Sequence, residues 1–91
     1  MHTHAFDLIA QLGDSELMLR AAMKCHPAYQ YGPLNRTLKQ CVIQGQLETA
    51  RAAARALERE LYPSELEVIL AVSLKQNRLE TARAAAELLV A

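Results

Sequence analysis

Apolar residues recur along this chain at helical spacing, and the same stripe is written more than once. Leu47, Ala50, Ala54 and Leu57 are spaced three, four and three, and so are Leu79, Ala82, Ala86 and Leu89. That spacing sets each group on one face of a helix. Ser15, Met18, Ala22 and Cys25 keep the same frame 32 residues upstream of the first group. A second set of stripes alternates with these. Leu34, Leu38, Cys41 and Val42 match Leu66, Leu70, Ser73 and Leu74, and the corresponding set near the start is His2, Phe6, Ile9 and Ala10. The pattern predicts six helices of about 10 to 15 residues, an ordinary length, paired into three antiparallel hairpins.

Identity supports the frame. Gln46-Leu47-Glu48-Thr49-Ala50-Arg51-Ala52-Ala53-Ala54 returns 32 residues later as Arg78-Leu79-Glu80-Thr81-Ala82-Arg83-Ala84-Ala85-Ala86. Each copy follows a helix breaker, Gly45 or Asn77, and a fainter copy follows Gly13. A fixed period of this size marks a stacked-repeat architecture. Each unit there buries its apolar face against its neighbours. The expectation is a single all-α domain over residues 1–91, with units of about 1–31, 32–63 and 64–91. Stacked repeats present a binding surface, so the pattern points to recognition ahead of chemistry.

The punctuation fits this division. Pro33 suits the first turn of a helix running to about Gln44, since its missing N–H has no partner there anyway. Gly45 takes the left-handed conformation that ends a helix. Ser64-x-x-Glu67 reads as a capping box opening a helix that runs to Gln76, and Asn77 is the second choice for a left-handed end. Asp14 is placed to cap the second helix. Pro27 and Tyr29–Pro33 read as the link between the first two hairpins, Tyr62-Pro63 as the shorter link to the third. Glu48 with Arg51, Glu80 with Arg83 and Arg83 with Glu87 are spaced to pair on exposed faces.

These residues resemble the tetratricopeptide repeat. In that family a glycine ends the first helix and an alanine five residues on packs into it; Gly45 with Ala50 and Asn77 with Ala82 reproduce this. Pro63 lies one place from the family's closing proline. The period is 32 here and about 34 in the family. Aliphatic residues replace the bulky aromatics of its first helix, and Met18 takes the alanine position of unit one. The resemblance implies a right-handed, degenerate stack that cups a peptide or a partner's helix against its first-helix face. It implies no reaction. In size and in having three hairpins the chain also resembles type III secretion needle chaperones. That second likeness rests on architecture alone. It implies a small chaperone that holds an amphipathic helix of the needle subunit alongside a second small helical protein.

The segment Ser64–Lys75 is apolar nearly all round. Leu66, Leu70, Ser73 and Leu74 form its stripe, while Val68, Ile69, Ala71 and Val72 fall off it. A helix of that kind is covered on more than one side. Either it is wedged between the second unit and the last helix, or Val68, Val72 and Ile43 line a groove for a partner's amphipathic helix. Arg36, Lys39 and Lys75 would rim that groove against acidic residues. Leu88 and Val90 find no following helix, so a partner or a second copy is expected to cover them.

Composition narrows the partner. Formal net charge is zero and the charges are interspersed, without the basic face that a nucleic-acid binder shows or long-range attraction to an anionic membrane. Membrane and nucleic acid are therefore not expected partners. Cys25 and Cys41 lie on apolar stripes and read as buried free thiols, which suits a cytoplasmic protein. His2 and His4 lack a third ligand for a metal, and Cys25-His26 lacks an acid nearby. Phosphate-cradling loops and nucleophile elbows are absent from the sequence. The chain is accordingly expected not to be an enzyme and to need no cofactor. The leading expectation is a small adaptor or chaperone; a self-associating helical homodimer and a helical-repeat nucleic-acid binder or regulator are the alternatives.

Overall fold

The computed structural model describes residues 1–91 and contains helices without strands: α1 (Thr3–Ala10), α2 (Ser15–Lys24), α3 (Tyr31–Gln44), α4 (Leu47–Ala56), α5 (Pro63–Lys75) and α6 (Leu79–Val90), with a short 3-10 turn at Pro27–Tyr29. None is long and apolar enough to cross a membrane. Asp14 caps α2 as expected, its carboxylate accepting from the Leu17 N–H at 3.1 Å. Gly45 and Asn77 end α3 and α5 with φ of 68° and 57°. In each case the following N–H turns back onto the helix, Gln46 to the Cys41 carbonyl and Arg78 to that of Ser73, both at 2.8 Å. These bonds satisfy carbonyls that a helix end leaves open. A third end of this type follows α4, where Glu58 has φ of 60° and the Arg59 N–H reaches the Ala54 carbonyl.

Several local expectations are corrected. The box at the start of α5 is Tyr62–Glu65, two residues earlier than Ser64–Glu67. Pro63 is the first helical residue, and the Glu65 carboxylate accepts from the Tyr62 N–H at 2.7 Å. Proline fits that place because its nitrogen has no proton to satisfy. Tyr31, Gly32 and Pro33 belong to α3, so the first link is residues 25–30 and the second is residues 57–62. α1 is only eight residues long. Of the three exposed charge pairs only Arg83–Glu87 closes, at 3.1 Å.

Consecutive helices pair as α1/α2, α3/α4 and α5/α6, with α3 central. Small residues allow the close approach, since Ala50, Ala53, Ala54 and Ala85 are buried between helices. One core cluster gathers around Leu38, Cys41, Leu47, Leu66 and Ile69; a second gathers Phe6, Met18, Ala22, Cys25 and Leu34. Leu19 and Leu57 pack against both. Ile69, read from sequence as off the stripe, is fully buried, while Leu74 and Leu79 on the stripe are 55% and 61% exposed.

The two junctions between hairpins differ. The first hairpin meets the second mainly through α2 against α3, whereas the third meets it mainly through α5 against α3. The period written in the sequence is therefore not carried into one repeated interface. The result is an elongated slab of 38 × 25 × 16 Å.

Candidate protein-binding face

Helical geometry sets Arg36, Lys39 and Ile43 on one side of α3, at intervals of three and four. Val68, Val72 and Lys75 do the same on α5, the helix packed beside it. Ile43 is 66% exposed and Val68 is 42% exposed. Val72 is half-buried, and its place is fixed by Gly45: a Cβ there would come within 2.9 Å of Val72 Cγ1. The glycine thus lets the end of α3 approach α5 closely, as well as taking the left-handed turn.

The cations on this face are not equivalent. Arg36 forms an ion pair with Asp7 of α1, and its guanidinium lies 5.1 Å from the Phe6 ring centroid. It joins α1 to α3. Lys39 and Lys75 form no ion pair and stand exposed. Sequence reasoning missed Leu8, which is 56% exposed on α1. It lies two periods before Val72, so the repeat frame itself held the signal. Leu88 and Val90 part company. Leu88 is half-buried on the core cluster around Leu66, and Val90 is 84% exposed.

The turns at the ends of the hairpins are tied together. The Gln44 side-chain amide donates to the Gly13 carbonyl, and Arg78 donates to the Gln44 carbonyl at 2.7 Å. One turn is therefore latched to the next along the slab. At its other end Arg59 and Glu65 form a bidentate pair at 2.9 Å for both bonds. That hydrogen bonding holds the Glu65 carboxyl below its usual range and raises Arg59. Arg59 also stacks 3.9 Å over the Tyr62 ring, which fixes the second link.

The residues with reactive potential have structural duties. Cys25 and Cys41 are buried and free. Burial pushes the Cys41 thiol up to about 11, against a smaller opposing effect of its hydrogen bond with Ser15. A thiol held that way is a poor nucleophile. Ring nitrogens of His2 and His26 accept backbone N–H groups of His4 and Ala28, both at 3.1 Å. No three His, Cys, Asp or Glu side chains converge in a way that would hold a metal ion. Compared with protein-family models, curated proteins and solved structures, the chain matches none of them.

Proposed function

We propose that this chain is a protein–protein interaction module, an adaptor or chaperone that holds an amphipathic helix of a partner across the face of α1, α3 and α5. The observation that carries the reading is the exposure of Leu8, Ile43 and Val68 on three helices that pack side by side. Exposed apolar residues aligned on adjacent helices fit the apolar row of a docked helix. Lys39 and Lys75 supply free cations beside that row, suited to acidic residues on the partner. The left-handed ends at Gly45 and Asn77, each followed by a buried alanine at Ala50 and Ala82, support reading the scaffold as a degenerate tetratricopeptide-like stack. The likeness to secretion needle chaperones adds one candidate class of partner, a small helical subunit. Buried free thiols suit the cytoplasm.

The test is Val68→Glu. Binding of an amphipathic helical peptide, followed by fluorescence anisotropy, is expected to weaken about tenfold or more, while the circular dichroism of the chain stays helical. Unchanged binding would refute the face. Light scattering of the chain alone separates the homodimer, which would double the mass without any partner.

A further inference from the structure

A second surface lies along α4, which takes no part in the α1, α3 and α5 face. The third hairpin meets the second mainly through α5 against α3, and a cleft of about 430 Å³ opens between α4, the second link and α6. Ala54, Leu61, Leu66 and Leu88 form its apolar floor, and Arg51 and Arg55 stand at its edge. Beyond Arg55 a second depression of about 330 Å³ is lined by the exposed Met23 and the half-buried Ala52 and Ala56. Arg55 lines both hollows and Arg51 lines the first, which makes this side of α4 the ridge beside them.

The charge on this ridge is unbalanced, and the repeat shows by how much. In α6 the positions corresponding to Arg51 and Arg55 are Arg83 and Glu87, and they form an ion pair. In α4 the same positions hold two like charges four residues apart, an arrangement that repels along a helix. Neither arginine forms an ion pair within the chain. Arg59, the next cation along, is already held by Glu65. Glu60 also borders the cleft and pairs with neither arginine.

We infer that α4 docks an acidic amphipathic helix of a partner protein, with a carboxylate between Arg51 and Arg55 and apolar side chains in the hollows on either side. The carboxylate takes the place that Glu87 fills in α6. The apolar side chains cover Leu61 and Leu88 on one flank and Met23 on the other. This rests on the reading of the chain as a protein-binding module but assigns a separate face, so the two fail separately.

The test is a charge swap. An Ala-rich helical peptide of roughly 20 residues, with a leucine row and central glutamates, is titrated against the isotope-labelled wild type, Arg55→Glu and Arg51→Glu. A second peptide carries lysines in place of the glutamates. Either arginine variant is expected to weaken the acidic peptide by roughly tenfold and to gain affinity for the lysine peptide. Binding at the cleft is read from the backbone amide shifts of Ala54, Arg55 and Leu61, which sets it apart from binding on the α1, α3 and α5 face. Loss of fold does not mimic this result, because Arg55→Glu recreates the arrangement of Arg83 and Glu87 and is expected to keep or raise helicity. Equal binding of both peptides to every variant would overturn the proposal. So would a dimer of the unliganded chain that Arg55→Glu dissociates, since a second copy would then be the occupant.

Discussion

Replacing Gly45 by alanine separates the two demands that the fold makes on this residue. Gly45 and Gly13 both adopt left-handed backbone, with φ of 68° and 72°, so alanine at either costs about 1–2 kcal/mol in backbone strain. At Gly13 an added Cβ meets nothing within 4 Å, and the cost ends there. At Gly45 it would stand 2.6 Å from Arg78 Nη2, 2.9 Å from Val72 Cγ1 and 3.4 Å from Ser73 Oγ. The guanidinium has to withdraw, which breaks its 2.7 Å bond to the Gln44 carbonyl. A hydrogen bond from a charged donor contributes about 1.5–3 kcal/mol, and a forced Val72 rotamer adds about 0.5–1.5 kcal/mol. Gly45→Ala is therefore expected to destabilise by about 2 kcal/mol or more beyond Gly13→Ala. Urea unfolding followed by circular dichroism at low temperature measures both, with a single transition as the condition for comparing free energies. A difference between the two variants below about 0.5 kcal/mol, within the scatter of ordinary surface substitutions, would refute the close approach of α3 to α5.

Other expectations follow from single side chains. Ser73 is fully buried and its hydroxyl has no partner; Ser73→Ala is expected to leave stability unchanged or raise it by about 1 kcal/mol, and a loss of that size in urea unfolding would contradict the assignment. Glu65→Gln breaks the charge pair with Arg59 and is expected to cost about 1–2 kcal/mol near neutral pH. Because the folded state lowers the Glu65 pKa from its usual 4.5, its contribution is complete above that value and is lost as pH falls through the folded value. The stability gap between wild type and Glu65→Gln should therefore close in acid, and a gap that widens below pH 4.5 would refute the pairing.

Helix number and most of the core were legible in the sequence because both follow from local spacing. Phe6, Met18, Leu38, Cys41 and Leu66 were on the stripes and are buried. Gly45 and Asn77 were identifiable as helix ends because few residues tolerate left-handed backbone. Glu58 escaped notice since nothing in its side chain signals such a conformation. The errors at Ile69, Leu74 and Leu79 have a tertiary origin. Stripe positions are buried only if a helix lies opposite, and the third hairpin docks differently from the first. Ser73 shows the same effect. Its counterpart Cys41 has Ser15 as a hydrogen-bonding partner, but the residue one period after Ser15 is Leu47, so Ser73 inherits the burial without the partner. The candidate face was partly legible. Val68 and Ile43 are exposed, while the pairing of Arg36 with Asp7 depends on how α1 meets α3, which no local pattern encodes.

The central claim is that a partner's helix lies on the α1, α3 and α5 face. The most direct measurement is a nitrogen–proton correlation spectrum of the labelled chain titrated with a neutral amphipathic helical peptide. Chemical-shift changes concentrated at Leu8, Lys39, Ile43, Val68 and Val72 are the predicted result. A titration that leaves those residues unmoved, with the chain folded throughout, would contradict the account.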